Sequence, residues 1–351
     1  MSRSAGTGQS EERAAQSAAA TLDPQPAWSR RHVLDLDDFS AAEIETVMET
    51  AAVMKEVMGR DVPRVPALRG RTIITLFYEA STRTRASFEL AGKSLGADVI
   101  NVAAGGSSIE KGESLIDTVR TLQAVGADML VMRHQASGAP YLVARNVGCS
   151  VVNGGDGWHA HPTQALLDLF TMRTHLGSVR GKRVVIVGDI AHSRVARSNI
   201  WGLSAMGAEV VVCAPPTLLP AGMRPVGATG GRPQRPDKHE QLALPRVEVE
   251  TDLDRAIEGA DVVMALRLQK ERMTAGLLPS LREYSTLYQV NELRLSRAKT
   301  GALVMHPGPI NEGVEISPAV AHSLQSVIEE QVTNGVAVRM AVLYLLGRGK
   351  A

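Results

Sequence analysis

Aromatic side chains are scarce in this chain: Phe, Trp and Tyr together make up 3% of 351 residues. That argues against an aromatic platform for stacking nucleobases. Charge of one sign is also missing. The 38 Lys and Arg stand against 37 Asp and Glu, a formal net charge of +1, so no global field draws nucleic acid or an anionic membrane. Any bound anion must be held by a local basic cluster. The two cysteines, Cys149 and Cys213, are too few for a disulfide framework or a cysteine-rich zinc site. They read as buried free thiols in a reducing cytoplasm. No apolar run approaches the ~20 residues that a membrane helix needs. The N-terminus has no apolar h-region followed by a cleavage site.

What is present is ordinary for a soluble globular protein, with 44% hydrophobic and 21% charged residues. Domains of ~100–200 residues make two the natural count. Residues 1–27 are rich in Ser, Ala, Gly, Gln and Glu and read as a disordered tail. A transit peptide is the alternative, and Glu11 and Glu12 count against it. From Trp28 onward, helical and strand patterns alternate. A helix is expected over 38–58, with Ile44, Val47, Met48 and Ala51 at helical spacing and Ser40 as N-cap. Strands are expected at 71–77, 97–102, 127–132, 183–187, 209–213 and 260–265. Helices are expected to open after Ser81 and to run over 115–125, 163–175, 195–206 and 327–346. Such alternation implies parallel sheets with helices on their faces, an α/β fold. Residues 215–245, dense in Pro, Gly and Arg, break the rhythm and read as an insertion or mobile loop.

The string from Phe77 to Glu89 contains Ser81-Thr82-Arg83-Thr84-Arg85, placed where a strand turns into a helix. Backbone N–H groups at a helix start favour an anion. Three hydroxyls and two forked guanidinium groups beside them suit phosphate. A solvated polar turn is the bland alternative.

This string resembles the carbamoyl phosphate motif of the aspartate/ornithine carbamoyltransferase family, and further motifs follow in that family's order over nearly the whole chain from Trp28. Ser107 to Ser114 resembles the loop that the family inserts into a neighbouring subunit's site. Met132-Arg133-His134, His161-Pro-Thr-Gln164, Val187 to Arg194, Ala265 to Arg272 and His306-Pro307-Gly308-Pro309 resemble the remaining site elements. The resemblance implies two domains, each a mostly parallel sheet flanked by helices: 28–170 binding carbamoyl phosphate and 171–320 binding the second substrate. Residues 321–351 would form a helix closing back on the first domain.

The implied reaction is carbamoyl transfer from carbamoyl phosphate to an amine. Ser81, Thr82, Arg83, Thr84 and Arg133 would hold the phosphate. Thr84, Arg133 and His161 would face the carbonyl oxygen, and Gln164 with the carbonyls of Pro307 and Gly308 would orient the carbamoyl NH₂. Catalysis would fall to Arg83, Thr84, Arg133 and His161. Lys111, Arg194, Arg267 and Gln269 would bind the second substrate, with Ser107 and Lys111 coming from the adjacent subunit. The resemblance therefore implies at least a homotrimer, with association to dihydroorotase or a regulatory chain left open.

Within the family, the sister ornithine enzymes typically carry a His-Cys-Leu-Pro loop and a Ser-Met-Gly loop. Neither string occurs here. Two arginines suit the two carboxylates of L-aspartate and would repel ornithine's distal ammonium. An ornithine-using enzyme and a non-catalytic scaffold are the alternatives. No metal and no cofactor is expected: His159 and His161 lack a third ligand at zinc spacing, and Val187-Gly-Asp lacks the dinucleotide fingerprint. Glu89 and Glu113 read as structural ion-pair members. The chain departs from the family at Glu312, where a basic residue often follows the loop's Asn, and in the length of the 215–245 segment.

Overall fold

The computed structural model describes residues 28–103, 112–223, 244–245, 247–269, 277 and 280–348. Helix α1 (Ala41–Met58) begins at a capping box, in which Ser40 and Glu43 each accept a hydrogen bond from the other's backbone amide. Two otherwise orphaned donors are thereby satisfied. Ile44, Val47, Met48, Ala51 and Met54 form its buried stripe, as helical periodicity requires.

Strand β1 (Thr72–Phe77) leads into α2 (Thr82–Ser94), followed by β2 (Asp98–Ala103), α3 (Leu115–Ala124), β3 (Met129–His134), α4 (Ala139–Ala144), β4 (Ser150–Asp156) and α5 (Pro162–Leu176). The first sheet has the order β2-β1-β3-β4, every pairing parallel. Successive residues of β1 point to opposite faces. Ile74 and Leu76 enter a small core with Val119 and Val143 of α3 and α4. Ile73 and Phe77 enter a larger core that continues into the second half of the chain.

The second sheet is built from β5 (Arg183–Val187), β6 (Glu209–Cys213), β7 (Glu248–Glu250), β8 (Val262–Ala265) and β9 (Leu303–Met305), in the order β7-β6-β5-β8-β9 and again all parallel. Its central strands are near-continuous Val and Ile runs, the composition of strands covered on both faces. The helices of this half are α6 (Arg194–Ala205), α7 (Leu253–Ile257), α8 (Leu281–Tyr288), α9 (Glu292–Leu295) and α10 (Pro318–Ala321). The last helix, α11 (Ile328–Arg348), returns to the first half and packs on α1, α2 and α5. The α/β architecture expected from the sequence is the one observed.

Two details add to the sequence reading. Helix α5 runs unbroken through position 170, the expected end of the first unit. The segment 215–245 opens with a short 3₁₀ turn, Pro216–Leu218, and residues 224–243 lie outside the described ones. No helix among the described residues is long and apolar enough to cross a membrane.

Candidate active site

In parallel sheets, side chains that reach a ligand cluster beyond the carboxyl ends of the strands. Here six strands deliver them to one place. Ser81 to Thr84 follow β1, Arg133 ends β3, His161 follows β4, Arg194 follows β5, Arg267 and Gln269 follow β8, and Pro307 and Gly308 follow β9, whereas Arg85 is exposed and does not line the cavity. All the candidate residues that fall among the described ones line a single cavity of about 800 Å³ between the two sheets. They span more than two hundred positions of sequence, so only the fold brings them together.

The phosphate-facing wall starts at α2. Ser81 is its N-cap, and its Oγ accepts from the Thr84 amide at 3.4 Å. The Ser81 hydroxyl proton therefore remains available to a ligand. Thr84 is buried behind it. Burial, and then the positive charge of Arg267 from the opposite half, hold the Arg83 guanidinium below its ordinary value. Two like charges facing across a cleft favour an anion between them. Gly308 sits at φ 63°, and a Cβ there would lie 2.5 Å from Arg83 Nη1. A side chain at this position would displace the arginine, so glycine is required both by conformation and by the close approach.

Glu79, which the sequence reading passed over, joins the two walls. Its carboxylate accepts from Arg133 Nη2 at 2.5 Å and from Arg194 Nη2 and Nη1 at 2.7 and 3.1 Å. Arg133 also donates to the Gly154 carbonyl and Arg194 to that of Gly157, both at 3.2 Å. One carboxylate at the end of β1 thus clamps an arginine from each half. Its sequence signal was a lone acid two residues before a basic phosphate motif. Gly155, at φ 116°, lies beneath this clamp, and a Cβ would stand 3.0 Å from the Arg194 guanidinium and 3.2 Å from Arg133 Nη1.

His161 is the N-cap of α5 and is buried. Its amide donates to Ser198 Oγ on α6 at 2.9 Å, and Ser198 in turn donates to the buried Asp35 at 3.2 Å. His159, two residues earlier, bonds Asp156 through Nδ1 at 3.1 Å and approaches Asp35 at 3.6 Å through Nε2. The hydrogen bond to Asp156 is the main cause that raises the His159 pKa. Gln164, one turn into α5, donates from Nε2 to the buried Asp168 at 3.0 Å. His306 Nδ1 accepts from the Gly308 amide at 2.8 Å.

The expected donors Ser107 and Lys111 lie outside the described residues, as does Arg272. Glu89 pairs with Lys93 at 2.5 Å and accepts from Asn101 at 2.8 Å, a structural role. Glu113 acts on Tyr78 through its charge. Glu312 lines the cavity, with its carboxylate 3.4 Å from His322.

The chain matches two family models: the carbamoyl-P binding domain of aspartate/ornithine carbamoyltransferase over residues 31–174, and the Asp/Orn binding domain over residues 180–346. It is 63% identical over 317 residues to the aspartate carbamoyltransferase catalytic subunit of Roseiflexus sp. (strain RS-1), covering 90% of this chain and 95% of that one. It is 57% identical over 323 residues to the catalytic subunit of the same name from Dehalococcoides mccartyi (strain ATCC BAA-2100 / JCM 16839 / KCTC 5957 / BAV1), covering 92% and 93%. Among solved structures, aspartate transcarbamoylase from Trypanosoma cruzi in complex with carbamoyl aspartate and phosphate superposes with a TM-score of 0.77 at 30% identity, over 92% of this chain and 98% of that one. An ornithine carbamoyltransferase from Pyrococcus furiosus superposes with a TM-score of 0.78 at 28% identity, over 93% and 100%.

Proposed function

The chain belongs to the aspartate/ornithine carbamoyltransferase family, and from that premise we propose that it transfers the carbamoyl group of carbamoyl phosphate to the α-amine of L-aspartate. The products are N-carbamoyl-L-aspartate and phosphate, an early step of de novo pyrimidine biosynthesis. The observation that carries this reading is the pair of basic walls around one cavity: Arg83 and Arg133 with the helix start on one side, Arg194 and Arg267 on the other. The near-equal likeness of the fold to aspartate and ornithine enzymes does not choose the second substrate. The two arginines do, since a dianion satisfies them and a distal ammonium would not. The high identity to catalytic subunits named for aspartate supports the same choice.

In this reading the amine attacks the carbonyl carbon, a C–N bond forms, and the C–O bond to phosphate breaks. The amine's proton leaves with the phosphate or to water. Thr84, Arg133 and His161 stabilise the oxyanion, where one preorganised donor is typically worth ~2.7–4 kcal/mol. Ser81, Thr82, Arg83, Thr84 and Arg133 hold the phosphate, and Arg194, Arg267 and Gln269 hold the two carboxylates. Gln164 and the carbonyls of Pro307 and Gly308 orient the carbamoyl NH₂. Holding both substrates in line removes an entropic barrier that can reach ~7–11 kcal/mol. A cytoplasmic homotrimer, each site completed by Ser107 and Lys111 of a neighbour, fits this scheme. Units of 28–170 and 171–320 with a closing helix are its working division.

The test offers the purified protein carbamoyl phosphate with aspartate and ornithine side by side. N-carbamoyl-aspartate without citrulline is the expected product. Citrulline would overturn the assignment of the second-substrate pocket, and neither product would favour a scaffold role. For the shared site, mixing an inactive Lys111→Ala chain with an inactive Arg133→Ala chain should restore part of the activity.

A further inference from the structure

We propose that Asp168 is a positioning residue that sets the direction of the Gln164 amide, which reads the carbamoyl NH₂. The inference rests on the reading of Gln164, Pro307 and Gly308 given above. Asp168 lies one helical turn after Gln164 on α5 and is fully buried. Its Oδ1 accepts from Gln164 Nε2 at 3.0 Å and from Gln331 Nε2 at 2.7 Å, and its Oδ2 accepts from Asn199 Nδ2 at 2.8 Å. Those donors stand on α5, α11 and α6, so a single carboxylate joins three helices. Asn199 also lies five residues beyond Arg194 on α6, which ties the same carboxylate to the helix carrying an aspartate-facing arginine.

A side-chain amide can present either its oxygen or its NH₂, and only its partners decide which. Gln331 is fixed from its far side, because its Oε1 accepts from the His306 backbone amide at 3.0 Å. Its NH₂ end must therefore face Asp168. An ionised carboxylate accepts only, so Gln164 must also turn its NH₂ inward. That leaves the Gln164 oxygen for the cavity it lines.

The turn after His306 has the same polarity. Pro307 and Pro309 have no N–H to offer, and the Gly308 N–H is taken by His306 Nδ1 at 2.8 Å. The wall formed by Gln164, Pro307 and Gly308 therefore presents acceptors, which suits a substrate NH₂ and gives nothing to a methyl group. Burial pushes the Asp168 carboxyl up to about 6, against the pull of the three amides and the Arg339 guanidinium. The three amide donors that converge on it favour its ionised, accepting form. A leucine of similar size offers no acceptor, so it would leave the Gln164 amide free to turn its NH₂ into the cavity.

The test compares the binding of carbamoyl phosphate and of acetyl phosphate, which has a methyl in place of the NH₂, with inorganic phosphate as the control. Native protein, Gln164→Leu and Asp168→Leu are measured. The native protein should prefer carbamoyl over acetyl phosphate by about tenfold or more. Gln164→Leu should lose that preference. Asp168→Leu should lose it to a similar degree while its affinity for inorganic phosphate stays within about twofold. A native preference in Asp168→Leu overturns the inference and leaves the reading of Gln164 standing. A native preference in Gln164→Leu overturns that reading first and the inference with it. If Asp168→Leu does not fold, Asp168→Ala is read by the same ratio. The same loss is then expected, and an unchanged ratio overturns the inference.

Discussion

Glu79→Gln removes one negative charge and almost no volume, so its effect isolates the electrostatic clamp between the two halves. Glu79 accepts three charge-assisted hydrogen bonds, at 2.5, 2.7 and 3.1 Å, from Arg133 and Arg194. Those side chains are only 11% and 6% exposed. Removing one partner of a fully buried pair typically costs about 3–5 kcal/mol, because the remaining charge is stranded. Glu79 is itself 21% exposed, so water relieves part of that cost, and about 2–3 kcal/mol is the working figure. For a chain of 351 residues that corresponds to a fall in Tm of roughly 3–4 °C. A second consequence is specific to the clamp. In the native protein a phosphate reaching Arg133 competes with the Glu79 carboxylate, whereas in the variant it meets an uncompensated arginine. Inorganic phosphate should therefore raise the variant's Tm more than the native protein's. Thermal unfolding monitored across a phosphate titration measures both effects. An unchanged Tm together with identical phosphate responses would refute the idea that Glu79 neutralises the two arginines.

Gly155→Ala should lower kcat/KM by about a hundredfold or more, since it combines backbone strain of about 1–3 kcal/mol with displacement of both clamped arginines; steady-state kinetics check it. Gly308→Val should raise the KM for carbamoyl phosphate by about tenfold or more through displacement of Arg83, with a smaller change for aspartate. Arg267→Ala should raise the KM for aspartate by about a hundredfold, as expected for a lost fork to a carboxylate, with a smaller loss of phosphate affinity; steady-state kinetics and phosphate titration check both. The pKa of His159 is raised on folding, chiefly by its hydrogen bond to Asp156. Its contribution to stability is then fully present below the unfolded value of ~6.5 and is lost as pH rises through the higher folded value. A plot of Tm against pH should fall across that window in the native protein and flatten in His159→Gln; equal slopes would dismiss the pair as a stabilising element.

The elements most legible in the sequence were those with a long period or a local cap. Strands β5 and β6 coincide with their expected ranges, because uninterrupted Val and Ile runs bounded by polar residues admit little else. Helix α1 begins directly after Ser40, the expected N-cap. Strands β4, β7 and β9 and helices α7 to α10 were not anticipated; β7 and β9 have three residues each, and α9 and α10 four. Segments of three or four residues hold no full period of either pattern, and partners far along the chain create them. Helix α4 escaped for a similar reason, since its six residues are too few to display a face.

The sequence alone determined the alternating α/β order, the helix start at Ser81 with its hydroxyls and arginines, and the choice of residue types suited to phosphate and carboxylates. Those features depend on neighbours within a few positions. The tertiary structure decided what depends on distant chain segments meeting. Glu79 lies two residues before the phosphate motif, yet its role appears only when β5 and α6 carry Arg194 to within 2.7 Å of it. Asp168 reads as one polar residue on a helix, and becomes a hub only because Gln331 and Asn199 arrive from two other helices. A buried charge must find partners wherever the fold supplies them, and no local pattern records which segments those are.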